Sequence, residues 1–232
     1  MKGIEFKLET KVISFESDLN GSGNVSFDGS HSGKINADKV LFSIGRKACI
    51  NGFGLENLEL CIENGAIKTD LHGLTSLPNV YAVGDINGKY MLAHAAYREA
   101  EVAVAHMLGK RDIMCYDAVP SVVYTSPEVA SVGETEESAK SKGINYSAVT
   151  LPMVYSGRYL AENAVTDGIC KVIINKEHKN IIGMHLYGSY ASEIIVSACM
   201  MIETGMRIED VQKVIFPHPT VSEMIREAVF KF

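Results

Sequence analysis

Two alternating apolar runs, Ile169–Asn175 and Ile181–Tyr187, flank the polar residues Lys176-Glu177-His178-Lys179-Asn180. Two strand-length runs joined by so short a link read as an antiparallel hairpin. Its apolar face needs a cover, and Ala191–Glu203 follows as an apolar run of helical length. Further strands are predicted at Pro120–Thr125, Val129–Gly133 and Tyr146–Met153. Further helices are predicted at Thr135–Lys142, Ile208–Ile215 and Val221–Phe230. Thr135 is placed to cap the first of these, and Gly143 to stop it. Strands followed by helices imply an α+β unit, an antiparallel sheet with helices on one face.

The chain ahead of this unit has a different grain. Ile4–Leu8, Lys11–Phe15 and Val25–Phe27 read as short strands separated by turn clusters, and Lys39–Ile44 as a buried strand stopped by Gly45. Almost no helix is there to cover them. From Arg46 to Lys110 come a short strand within Gly65–Asp70, an apolar strand over Leu77–Asp85, and an alanine-rich helix over Met91–Leu108 with Gly109 as its stop.

At 47% hydrophobic and 22% charged residues over 232 positions, the chain has the composition of a folded protein. A net charge of -6 argues against a nucleic-acid-binding surface. No apolar run reaches the length of a membrane span, and Met1–Phe6 lacks the features of a secretory leader. The five cysteines, Cys49, Cys61, Cys115, Cys170 and Cys199, form no C-x-x-C, which excludes zinc ribbons and thioredoxin-type motifs. They read as small buried hydrophobes kept reduced in a cytoplasmic setting.

Phe216-Pro217-His218-Pro219-Thr220-Val221-Ser222-Glu223 carries the strongest chemical signal. An imidazole can take and give a proton near neutral pH, and a carboxylate on its other nitrogen fixes the tautomer. His218 and Glu223 therefore suit acid–base catalysis. The same spacing also makes Thr220-x-x-Glu223 a capping box for the last helix. A second signal is Asp85 at a strand end, followed by Met91-Leu92-Ala93-His94 at a helix start. An Asp there can bind ligand hydroxyls, and helix N-terminal amides favour an anion. An ordinary strand–turn–helix gives the same pattern. Gly45-Arg46 is weaker. His94, His106 and His185 do not form a metal set, and His31, His72 and His178 read as solvated turn residues.

The ordered motifs Ser43-Ile44-Gly45-Arg46, Leu77–Asp85, Met91–His94, Pro120–Gly133 and His218–Glu223 together resemble the C-terminal half of the dihydrolipoamide dehydrogenase family of flavin-dependent pyridine nucleotide-disulfide oxidoreductases. Tyr124–Ala130 and Glu223–Ala228 are more similar to the lipoamide enzymes than to glutathione reductase. Phe230-Lys231-Phe232 lacks the cysteine pair of mercuric reductase. The resemblance implies FAD and NAD as cofactors, with electrons passing from dihydrolipoamide to a redox disulfide, to flavin and to NAD+. His218 would be the general base and Glu223 its orienter, serving the active site of the other subunit of a homodimer. Asp85 would bind the flavin ribityl chain. Met91, Leu92 and Ala93 would present amides to the pyrimidine edge. Gly45 would lie beside NAD and Arg46 near FAD, and the His218–Pro219 peptide would be cis. The substrate would be a lipoyl-bearing protein of a multienzyme complex, with no nucleic-acid or membrane partner.

The family's two G-x-G-x-x-G fingerprints and its C-x-x-x-x-C pair do not occur among these residues. The expected organisation is therefore the tail of an NAD-binding domain (1–46), the second part of an FAD-binding domain (47–112) and an interface domain (113–232). On this reading the chain is a piece of an oxidoreductase and inactive by itself. The alternative is a dimerisation module without chemistry.

Overall fold

The computed structural model describes residues 3–17, 19–164 and 167–232, and the chain divides into two compact units, 1–47 and 48–232. The first unit is a three-stranded antiparallel sheet in the order β1-β2-β3, with β1 at Thr10–Ser17, β2 at Gly23–Gly29 and β3 at Gly33–Ala37. Lys11–Phe15 and Val25–Phe27 form strands as expected. Ile4–Leu8 is irregular. Lys39–Ile44 is not a buried strand: Leu41 and Ile44 are each 90% exposed. A run apolar on both faces is buried only between neighbouring strands with layers above and below. None of the described residues of this unit supplies them, and the edge contact of Phe42 on Phe15 does not replace them.

The second unit begins with a two-stranded ribbon, β4 (Ile62–Glu63) and β5 (Ala66–Ile67). The strand expected over Leu77–Asp85 does not form. Val80 N–H closes a turn onto Leu77, Asn79 adopts φ 62°, and Tyr81 makes only an isolated bridge to Leu74. Gly84–Asn87 is a 3-10 turn, followed by α1 at Ala93–Met107. The helix forms where its spacing and alanine content predict it.

The rest is a five-stranded antiparallel sheet in the order β6-β7-β10-β9-β8: β6 Ser121–Val123, β7 Val129–Gly133, β8 Tyr146–Pro152, β9 Ile169–Asn175 and β10 Ile181–Tyr187. The hairpin of β9 and β10 is its centre. Cys170, Val172 and Ile174 alternate with Met184 and Leu186 on the core face. That face is covered by α4 (Ala191–Glu203) and α6 (Glu223–Val229), with the short α5 (Ile208–Val211) alongside. Lys171 and Ile173 point the other way. There Lys171 meets Glu136 of α2 (Glu136–Ser141) at 2.6 Å. The sheet thus has a helix on its second face, which the one-sided expectation lacked. The short helix α3 (Gly157–Glu162) was also not foreseen.

Caps follow local chemistry. Thr135 and Ser138 form a reciprocal capping box on α2, at 3.1 and 2.9 Å. No side chain of its own start caps α4. Glu128 does so from 64 residues away, accepting Ser192 N–H at 2.9 Å.

Only Cys170 is fully buried. Cys115 and Cys199 are half-buried, while Cys49 and Cys61 lie exposed in irregular backbone, against the expectation of five buried thiols.

Candidate functional site

The strand–helix layer ends in the segment that holds His218. Its peptide to Pro219 is cis, as the resemblance implied. The imidazole Nδ1 lies 2.9 Å from Glu223 Oε1. The other carboxylate oxygen, Oε2, accepts Thr220 N–H at 2.8 Å. The Thr220 hydroxyl turns back to donate to Pro217 C=O at 2.7 Å. Half of the capping box therefore forms, since Glu223 accepts Thr220 N–H, while the Thr220 hydroxyl half does not. Ser222, not Thr220, is the N-cap of α6, and no side chain caps the helix there. Glu223 satisfies a backbone amide and braces the histidine at once.

His218 is 81% exposed at its side chain and Glu223 only 21%. A rooted carboxylate therefore holds an open ring. With Nδ1 committed to Glu223, Nε2 is the nitrogen that can exchange a proton with an outside reactant. The Thr220 amide, and then the His218 ring, hold the Glu223 carboxyl below its usual range. A carboxyl depressed in the folded state contributes stability above its ordinary value of 4.5, and loses it as pH falls through the lowered one. Glu223→Ala is expected to cost about 1 kcal/mol at neutral pH. The gap in melting temperature between the two proteins should close on acidification below that range. A gap independent of pH would show that the carboxylate's ionisation has no part in it.

Asp85 sits half-buried in the 3-10 turn that packs on α1. Met91, Leu92 and Ala93 form the start of that helix. Leu92 is the N-cap, in extended conformation and with no side-chain cap. First-turn amides without a side-chain acceptor are what an anionic or carbonyl-bearing ligand edge would use. The structure thus joins Asp85 to the 91–93 segment through one packed turn. Gly45 (φ 104°) and Arg46 are exposed and belong to the first unit. His94 Nε2 donates to Pro120 C=O, 2.8 Å away.

Sequence reasoning missed two features here. Glu99 is 1% exposed, and its carboxylate takes bonds from the Gly84–Asn87 turn and from Tyr116. A charged residue on the buried face of an alanine-rich helix was the available signal. The second is His72, which is not merely solvated. It lies 3.3 Å from Asp70 and stacks on His106 at 4.2 Å, and His106 in turn meets the Tyr81 hydroxyl at 2.8 Å.

Three of the five cysteines are held as thiols by burial. Burial pushes the Cys170 thiol up to about 12 and the Cys199 thiol up to about 11. Burial also raises Cys115. Thiols of that kind are not thiolates at neutral pH, and only the thiolate attacks a disulfide.

Two family models match the chain. Residues 1–100 match "Pyridine nucleotide-disulphide oxidoreductase", and residues 119–229 match its "dimerisation domain". Dihydrolipoyl dehydrogenases of mitochondria from Sus scrofa and Homo sapiens are each 38% identical over 98% of this chain. The matched region is 45% of those proteins, so the chain spans about half the length of the curated relatives it matches. Among solved structures, LpdA from Mycobacterium tuberculosis superposes with a TM-score of 0.86 at 22% identity, covering 96% of this chain and 48% of that one. The flavoprotein disulfide reductase RclA from Escherichia coli gives 0.78 at 24%, covering 95% and 50%. At these identities the structural matches speak to the fold.

Proposed function

Because the chain belongs to the pyridine nucleotide-disulphide oxidoreductase family, we propose that it supplies the proton-transfer dyad, the interface domain and part of the flavin site of a dihydrolipoyl dehydrogenase. The observation that carries this reading is the His218–Glu223 contact at 2.9 Å, with the ring open and the carboxylate anchored.

In this reading His218 Nε2 takes the proton of a dihydrolipoyl thiol. The resulting thiolate can attack a disulfide, and the thiol cannot. Glu223 stabilises the imidazolium that forms and keeps Nε2 outward. The ring then returns its proton as the couple is reoxidised. The thiol couple lies in the other subunit of a homodimer, so the interface domain is part of the active site. The substrate is a lipoyl group carried by a protein of a multienzyme complex, in the cytoplasm.

Asp85 would accept hydroxyls of the flavin's ribityl chain. The amides of Met91, Leu92 and Ala93 would face its pyrimidine edge, and their dipole favours negative charge there. Bound at that edge, flavin supplies the two-electron step between the thiol couple and NAD+. Gly45 and Arg46 would lie toward NAD and FAD respectively. The domain division that accompanies this proposal is 1–46, 47–112 and 113–232.

These residues include no G-x-G-x-x-G and no C-x-x-x-x-C. Diphosphate groups bind chiefly at such glycine turns and the helix that follows. The isolated chain should therefore purify colourless and show no dihydrolipoamide-dependent NAD+ reduction. Flavin absorbance near one equivalent after gel filtration, or turnover with added FAD, would contradict this. A dimerisation module without chemistry is the second reading. His218→Gln with no effect on turnover, in an enzyme that contains the cysteine pair, would favour it.

A further inference from the structure

We propose that Glu99 is a positioning residue that locks the Gly84–Asn87 turn onto α1, so that Asp85 and the amides of Met91–Ala93 form one rigid ligand-binding edge. The inference deepens the flavin reading of that edge and rests on it.

A carboxylate 1% exposed on a helix face shared with Ala95, Val102 and Ala103 is costly to bury without donors. Glu99 has three. Oε2 accepts Gly84 N–H at 2.5 Å and the Asn87 side-chain amide at 2.9 Å. Oε1 accepts the Tyr116 hydroxyl at 2.8 Å. None of the three partners is a cation, and two belong to the turn that carries Asp85. An apolar side chain would fill the space at less cost but would leave two turn donors unmet.

The bonds continue to the helix start. Asn87, 6% exposed, uses its Oδ1 to accept Lys89 N–H at 3.0 Å. Lys89 places its ammonium 4.8 Å over the Tyr116 ring, and Tyr90 stacks on that same ring at 5.7 Å and 5°. One path therefore runs from Glu99 through Asn87 to Lys89 and Tyr90, the residues just before Met91. Tyr116 closes it from outside. Gly84 presses on the helix as well. Its φ is 78°, and a Cβ there would lie 3.2 Å from that of Ala96. Burial first, then the bond to Glu99, raises the Tyr116 hydroxyl above its ordinary range, so it remains a donor.

Comparing the chain with Glu99→Gln and Glu99→Ala tests the role. A glutamine keeps the shape: its oxygen can accept from Gly84 and Asn87, and its amide can donate to the Tyr116 oxygen. Alanine removes all three bonds. Amide exchange at Gly84 and Lys89, read by NMR, should quicken about tenfold or more in Glu99→Ala and stay near wild type in Glu99→Gln. FAD titrated into each protein, followed by flavin fluorescence, should bind about fivefold more weakly to Glu99→Ala than to the other two.

Unchanged exchange in Glu99→Ala would overturn the inference. Faster exchange spread over the whole chain in both variants would also overturn it, since that marks a packing role only. Equal FAD affinity in all three proteins, despite a loosened turn, would overturn it as well. If the exchange pattern is as expected and no variant of the isolated chain binds FAD, as the missing glycine turns predict, the locking role stands. The flavin reading of the edge then falls only if Glu99→Ala also leaves FAD affinity unchanged in an enzyme that contains those turns.

Discussion

His218→Gln is expected to lower dihydrolipoamide-driven NAD+ reduction by about 100- to 10,000-fold in an enzyme that also contains the redox cysteine pair, the range usual for loss of a general acid–base group. The size follows from the site. The ring is 81% exposed, so the substitution disturbs little packing and folding should be kept. Glutamine can still bond to Glu223, but it cannot exchange a proton near neutral pH. The loss should therefore fall on one half of the cycle. Reduction of the disulfide by dithiol, followed by stopped-flow absorbance, should slow by the full factor. Electron exchange between flavin and NADH should stay within a few-fold, because no proton passes through His218 in that step. A uniform loss across both halves would mean that the substitution damaged the fold rather than the proton transfer.

Gly133→Ala is expected to produce the largest loss of stability. Gly133 ends β7 opposite Gly183 of β10, in the middle of the sheet. Its φ is 76°, and a Cβ would meet Ile182 C=O at 2.2 Å and Ile202 Cδ1 at 2.8 Å. The first is backbone and cannot swing aside. Strain of the left-handed conformation and overpacking together should cost about 2–5 kcal/mol. That corresponds to a fall in melting temperature of roughly 5–15 °C. Gly183→Ala is a second test of the same approach, since its Cβ would lie 2.1 Å from Glu134 C=O. By contrast Gly143→Ala meets no atom within 4 Å and carries only the cost of its φ of 68°. Melting of Gly133→Ala no lower than that of Gly143→Ala would deny the close strand approach.

The α+β unit was legible because its signals are local. The hairpin Ile169–Tyr187 and the helix Ala191–Glu203 each state their own period, and both form with the expected bounds. Lys39–Ile44 in the first unit and the 77–85 segment were misread for a shared reason. Runs such as Lys39–Ile44 have the composition of strands buried on both faces, but composition does not supply neighbours. A strand exists only where another lies beside it. The helix α2 was expected, but its place on the second face of the sheet escaped because the ion pair of Lys171 with Glu136 spans 35 positions.

The site divides in the same way. The His218–Glu223 contact was readable, since five residues separate the partners. That only half of the capping box would close was not, because it turned on the direction of the Thr220 hydroxyl. Glu99 left little trace. Its partners lie 12 to 17 positions away along the chain, and only folding brings them together.

Hybrid dimers test the central proposal most directly. One subunit would carry His218→Gln, and the other would have its redox cysteines replaced by serine. Neither subunit alone holds both the thiol couple and the imidazole. If His218 serves the partner's couple, the hybrid keeps one complete site and turns over dihydrolipoamide at about half the native rate per dimer. A hybrid as inactive as either parent homodimer would mean that the ring works only within its own subunit, and would contradict the account.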